Sequence, residues 1–208
     1  MQKTQPLFLS ILFILFKLVA FSQSPHFNLV LDAKKSNVPY ISAITQDAQG
    51  FIWLTSYANG LNRYDGNKLT TYSHDNENKN SLVSNAALAV SADAEGFIWV
   101  GTINGLDRFD AVANKFTHFN HDPKNPESLV CDTVFCITTD SDGDVWIGTI
   151  RGLDRYEKKT RKIIHYNIDE RLKTVLSNDS TGFAISIIYQ DKKGMLWIGW
   201  GEDRKSVV

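Results

Sequence analysis

Cysteine is scarce. Two in 208 residues, Cys131 and Cys136, are too few for a disulfide-stapled scaffold. Charge of neither sign dominates. Lys and Arg number 22 against 23 Asp and Glu, so the chain has no electrostatic footprint for nucleic acid. Long apolar runs are also few. The one that stands out, Leu7 to Ala20, is about 14 residues long and interrupted by Lys17. That is short of the ~20 residues that cross a bilayer as a helix. No phosphate loop, nucleophile–base pair or metal-ligand cluster rises from the sequence, and no cofactor is expected. What is present is ordinary for a folded domain: 43% hydrophobic and 22% charged residues, in a chain long enough for a sizeable core.

The apolar run follows Lys3 and precedes Ala20-Phe21-Ser22, which places small residues at the −3 and −1 positions of a cleavage site. Residues 1–22 therefore read as a secretory signal peptide, with Gln23 opening the mature chain. An exported, periplasmic protein is the expectation.

The rest is a repeat. Asp47 to Asp65 reads DAQGFIWLTSYANGLNRYD, and Asp93 to Asp110 reads DAEGFIWVGTINGLDRFD. Asp140 to Tyr156 reads DSDGDVWIGTIRGLDRY, and Asp191 to Trp200 reads DKKGMLWIGW. Trp53, Trp99, Trp146 and Trp197 are spaced by about 46, 47 and 51 residues, a period typical of repeat architectures. Within one unit, short runs rich in β-branched and aromatic residues alternate with Asp/Asn/Gly turns. The first unit gives strands at 40–45, 51–55, 61–65 and 68–72. The second gives 86–91, 97–102, 106–110 and 115–119, and the third 133–138, 145–149, 153–157 and 162–166. The fourth gives only two, 184–189 and 195–198. A four-stranded repeat of this length is a propeller blade. One such sheet is apolar on both faces, so neighbours must stack on it. The tryptophan of the second strand is placed to pack against the next blade.

The expected fold is thus all-β: a partial β-propeller of about three and a half four-stranded antiparallel blades behind a signal peptide. Its boundaries are 1–22 leader, 23–37 N-terminal strand and linker, 38–83 blade one, 84–130 blade two, 131–180 blade three, 181–202 partial blade four and 203–208 a tail.

The pattern D-x-x-G-x-[IVL]-W-[ILV]-G-T-x-x-G-L-[DN]-R-[YF]-[DE], with Ser-Leu-Val ahead of it, resembles the two-component regulator propeller repeat. The Gly-His and Trp-Asp pairs of tryptophan-aspartate repeats and the double glycine of kelch repeats do not occur in these units. The resemblance covers residues 26 to about 201. It implies the periplasmic sensor region of bacterial hybrid histidine kinases, which commonly detect oligosaccharides. It further implies a homodimeric full-length receptor, anchored in the inner membrane only through downstream segments. In such proteins the strand at Phe27–Leu31 completes the last blade. This chain carries no kinase histidine box, receiver or later membrane helix, so it is itself not expected to be an enzyme. Residues 203–208, Asp-Arg-Lys-Ser-Val-Val, match what a common sequencing-adapter sequence encodes in one frame, and are expected to be read-through from a longer gene. The alternatives are a standalone exported propeller enzyme, a lyase or glycan-processing one, and a periplasmic interaction scaffold.

Positions present in every copy build the blade: Asp47, Gly50, Trp53; Asp93, Gly96, Trp99; Asp140, Gly143, Trp146; and Asp191, Gly194, Trp197. Asp140, Asp142 and Asp144 alternate as in a calcium loop, but the glycine falls at the fourth position, so a solvated turn is expected and no metal. Cys136 occupies a strand slot. His74 and His121 share an offset after the fourth strand and read as structural. Arg63, Arg108 and Arg155 are expected to bond inter-strand carbonyls or the turn Asp. Tyr57, Ile103, Ile150 and Arg151 lie in loops that differ between copies, and are the candidate sugar contacts.

Overall fold

The computed structural model describes residues 38–166 and 184–200, and the backbone of 205–207. The signal peptide, the Phe27–Leu31 strand, and the joint at 167–183 lie outside the described residues.

Three of the four repeats fold as four-stranded antiparallel sheets with strands in sequence order. Blade one comprises β1 (Ile41–Gln46), β2 (Ile52–Ser56), β3 (Gly60–Tyr64) and β4 (Leu69–Tyr72). Blade two comprises β5 (Ala87–Ala92), β6 (Phe97–Thr102), β7 (Gly105–Asp110) and β8 (Lys115–Phe119). Blade three comprises β9 (Val134–Thr139), β10 (Val145–Thr149), β11 (Gly152–Glu157) and β12 (Lys162–Tyr166). The fourth sheet holds β13 (Ile185–Gln190), β14 (Leu196–Trp200) and β15 (Lys205–Val207). The two strands expected there are present. A third, drawn from the residues read as a tail, pairs antiparallel with β14.

Every repeat closes its first hairpin the same way. The aspartate at the head of the turn accepts two backbone N–H groups on one carboxylate oxygen: Gln49 and Phe51 on Asp47, Glu95 and Phe97 on Asp93, Asp142 and Asp144 on Asp140. The turn glycines sit at φ 89°, 90°, 86° and 82° in the four repeats, a conformation open to a residue without Cβ. Each first strand also slips register once against its second strand, between Ile41 and Ala43 in blade one and between Ala87 and Ala89 in blade two. This is a β-bulge conserved through the stack.

The first strands of successive blades lie side by side. Side chains bridge them: Ser42 Oγ donates to the Ala87 carbonyl at 2.7 Å, and Thr138 Oγ1 to that of Ile188 at 2.8 Å. Apolar residues fill the space between blades. Trp53, Leu61 and Leu82 pack with Val90, Ile98, Val100 and Phe109 in one cluster. Trp99, Leu106 and Leu129 pack with Ile137, Val145, Ile147 and Tyr156 in the next. Trp146 and Leu153 meet Ile185 and Ile188 in the third. The tryptophan face of each blade is thus buried on the following blade, as the repeat required.

In blades two and three the glycine two residues after the tryptophan, Gly101 and Gly148, sets the spacing to the next blade. A Cβ on Gly101 would lie 2.6 Å from Val134 Cγ1 and 3.1 Å from the Val134 carbonyl oxygen, on the next blade. Gly101→Ala is therefore expected to destabilise the chain by about 1–3 kcal/mol through overpacking. Denaturant unfolding measures it. An unchanged midpoint would mean that the two blades separate without cost.

Candidate functional site

The repeated aspartate does more than close a turn. Its second oxygen accepts the indole N–H of the tryptophan six residues on: Trp53 to Asp47 at 2.7 Å, Trp99 to Asp93 at 2.8 Å, Trp146 to Asp140 at 2.8 Å, and Trp197 to Asp191 at 3.2 Å. One carboxylate thus fixes both hairpin and ring. That indole bond, ahead of the Met195 N–H, holds the Asp191 carboxyl below its ordinary range. Sequence reasoning saw the turn but not the clasp, although an Asp six residues before a Trp in every copy was a readable signal.

Behind the ring lies the arginine of the third strand. It does not bond inter-strand carbonyls. The Arg63 guanidinium lies 4.9 Å over the Phe51 ring, and Arg108 4.5 Å over Phe97. Arg155 has Asp144 where the other two blades have phenylalanine. It takes ion pairs to Asp144 at 3.4 Å and Glu157 at 3.3 Å, with Trp146 and Tyr166 beside it. The arginine differs between blades because its first-hairpin neighbour does.

A second polar device ties the blade joints down. Asp107 and Asp154, in the third strands, are fully buried. Asp107 accepts the Val83 N–H at 2.7 Å and bonds His118 Nδ1 at 2.5 Å. Asp154 accepts the Val130 N–H at 2.8 Å and bonds His165 Nδ1 at 2.7 Å. The Ser-Leu-Val segment leading into a blade is thereby pinned to that blade's third strand. Burial pushes both carboxyls up, while the histidine bond and the backbone N–H pull them down. The bond to Asp107 raises His118 from 6.5 to about 9. These histidines were missed; an Asp and a His eleven residues apart in both copies would have pointed to them. His74 and His121 brace the same joints from the other side, through Nδ1 contacts to the Leu82 and Leu129 carbonyls at 2.7 and 2.6 Å.

Cys131 and Cys136 are free. Burial pushes the Cys136 thiol up to about 12, which leaves it un-ionised and a poor nucleophile. No group of three or more His, Cys, Asp or Glu among the described residues converges as a metal site. The Asp140 carboxylate is taken up by its own turn and Trp146.

Tyr57, Ile103 and Ile150 occupy equivalent places, in the hairpins between second and third strands of three adjacent blades, with Arg151 beside Ile150. All four hairpin residues lie at the end of the blade opposite the Asp-Gly turns. The Tyr57, Ile103 and Ile150 N–H groups reach the Tyr40, Ala86 and Thr133 carbonyls at 3.4, 3.2 and 3.1 Å, so each hairpin rests on the start of its own first strand. Tyr57 and Ile103 are exposed large apolar side chains, and Arg151 is exposed. The opposite end carries a cavity of about 530 Å³ between blades two and three, lined by none of the four. It reaches from the Asp93–Phe97 turn to the turn at Lys158–Arg161.

Sheets of this order, stacked through a Trp–Asp clasp and joined by short polar segments, define a β-propeller repeat protein. Residues 128–151 match the family described as two component regulator propeller. No curated protein sequence matches the chain. Among solved structures, the chain is similar to the extracellular domain described as that of a hybrid two component system from B. thetaiotaomicron. Identity is 27% and the TM-score 0.64, over 78% of this chain and 22% of that one. A one component system's extracellular domain from the same organism is similar at 20% identity and TM-score 0.61, over 85% of this chain and 22% of that one. Virginiamycin B lyase from Staphylococcus aureus matches at 17% identity and TM-score 0.54, over 79% of this chain and 53% of that one. The last two likenesses concern the fold alone. The chain spans about a fifth of each B. thetaiotaomicron chain. No helix of the described residues is long and apolar enough to cross a membrane.

Proposed function

We propose that this chain is the ligand-sensing part of a periplasmic propeller receptor of a hybrid two-component system. Its ligand is an oligosaccharide, and its output is a kinase carried by other segments of a dimeric receptor. The observation that carries this is the likeness, at 27% identity, to an extracellular domain of such a system. The chemistry agrees. The chain invests its buried polar groups in holding blades together, and Tyr57, Ile103, Ile150 and Arg151, which vary between copies, stand on loops at one end of a repeated scaffold. A ligand there would act by favouring one arrangement of the receptor over another.

An exported lyase is the other reading that the propeller fold admits. It would need an acid–base pair open to a substrate. The two Asp–His pairs instead hold the joints, and both aspartates are fully buried.

Titration of the full chain with a panel of neutral and acidic oligosaccharides tests the proposal. At least one is expected to bind without being cleaved. The double variant Tyr57→Ala, Arg151→Ala is expected to weaken it by about tenfold, the scale of one lost charged hydrogen bond, with unchanged melting. Cleavage of a glycan would overturn the sensor reading. Binding indifferent to both substitutions would move the site off these loops.

A further inference from the structure

We propose that the cleft between blades two and three is a second ligand site, built for a carboxylate. Its volume, about 530 Å³, lies in the range of small-molecule pockets. Arg108 lines it, with its guanidinium 4.5 Å over Phe97 and 5.7 Å from Trp99. Its Nη1 donates to the Tyr156 hydroxyl of the facing blade at 3.3 Å. Among the described residues, the pairs that involve this cleft are Arg155 with Asp144 and Glu157, and Lys158 with Glu95. Arg108, Lys159 and Arg161 make no ion pair with any described residue. Against these three cations stand two carboxylates without an ion pair: Asp142, and Asp93, whose oxygens are taken up by the Glu95 and Phe97 N–H groups and the Trp99 indole. The Lys158–Glu95 bridge spans the mouth at 3.2 Å between largely exposed side chains, so it holds weakly and leaves Lys158 free to swing inward.

The copies disagree here in a way that bears on chemistry. The equivalent cleft between blades one and two, about 410 Å³, has Arg63 on Phe51 in the same place. There the facing blade offers Phe109 in the place of Tyr156, and Ala111, Val112 and Asn114 in the places of Lys158, Lys159 and Arg161. Blade three's own arginine is already neutralised by Asp144 and Glu157. Only the cleft between blades two and three, of these, combines an arginine held flat on a ring, a facing hydroxyl and three cations at its rim. A planar fork immobilised by stacking loses little freedom on taking a carboxylate in a bidentate grip, and a partly buried setting strengthens that bond.

The shared chemistry is the carboxylate; an acidic sugar and a simple organic acid could both supply it. The full chain is titrated with D-galacturonate, D-galactose and succinate, with calorimetry and tryptophan fluorescence as readouts. Galacturonate is expected to bind and galactose not. Succinate binding as tightly would identify the acid group as sufficient, and galacturonate alone would identify an acidic sugar. Arg108→Met keeps the stem on Phe97 and is expected to weaken binding by about tenfold or more. Should that variant unfold, Lys159→Glu with Arg161→Glu, both exposed, is expected to weaken it comparably and to flatten its salt dependence. Equal binding of galactose, no binding of either acid, or binding unchanged in both variants would overturn the site. Tyr57→Ala with Arg151→Ala is titrated alongside: a loss seen in that variant and not in the Arg108 variant would place the acid on the loops and overturn the cleft, so the outcome is separable from the loop site.

Discussion

Trp99→Ala is expected to cost about 3–5 kcal/mol, whereas Trp197→Ala, at the same repeat position, costs about 1 kcal/mol or less. The contrast follows from what covers each ring. The four tryptophans are 0%, 1%, 7% and 36% exposed in chain order. Trp99 is enclosed: Phe119 of its own blade stacks at 5.7 Å between centroids, and Tyr156 of the next blade tilts against it at 4.8 Å. Truncation removes that packing, opens a cavity between two blades, and leaves the Asp93 oxygen without its indole donor. Trp197 shares its exposed face with Ile187 and Tyr189, and its clasp to Asp191 is longer, at 3.2 Å. Urea unfolding of the two variants beside the parent decides the matter. Equal losses would show that the clasp rather than inter-blade burial is what the tryptophan provides. A loss under 1 kcal/mol at Trp99 would show that it provides neither.

How far this was readable from sequence depends on how local each interaction is. The blade was legible because period, turn chemistry and strand pattern all repeat within a few residues. Strand edges came out within a residue or two, since each Asp-x-x-Gly turn fixes where one strand stops. The third strand of blade four was not legible. Its residues, Lys205 to Val207, carry no blade motif, and pairing to an open strand edge is a backbone matter indifferent to side-chain pattern. The arginines were misread because strand alternation tells which face Arg108 takes, but not that Phe97 of the neighbouring strand lies beneath it. The loop residues Tyr57, Ile103, Ile150 and Arg151 were put forward by asking where copies differ. The same question, put to the turn after the third strand, would have picked out Lys158, Lys159 and Arg161. It was not enough to reveal a cleft, because the other wall belongs to a blade some fifty residues earlier in the chain.

Asp107→Ala is expected to cost about 3–5 kcal/mol, the scale of a buried pair broken from one side. Asp107 is fully enclosed, and two segments hang on it. One oxygen holds the Val83 N–H, and the other holds His118, whose Nε2 contacts the Lys79 carbonyl at 3.0 Å. Removing the carboxylate leaves the Val83 N–H and the His118 imidazole without their shared partner, and releases the joint between blades one and two. The pH dependence separates this role from packing. His118 titrates near 6.5 when free of the fold and near 9 within it, chiefly through its bond to Asp107. A group whose pKa is raised by folding stabilises fully below the unfolded value, and that stabilisation fades as pH climbs through the folded value. The parent should therefore lose stability between about pH 6.5 and 9. Asp107→Asn keeps an acceptor for Val83 but has no charge to offer the imidazolium, so it should lose less over the same window. The gap between parent and Asp107→Asn should narrow steadily as pH rises. A gap constant from pH 6 to 10, measured by urea unfolding at each pH, would show that the pair is not ionised in the folded chain. Asp107 would then act as a neutral hydrogen-bond hub, and the joint would be held by shape rather than charge.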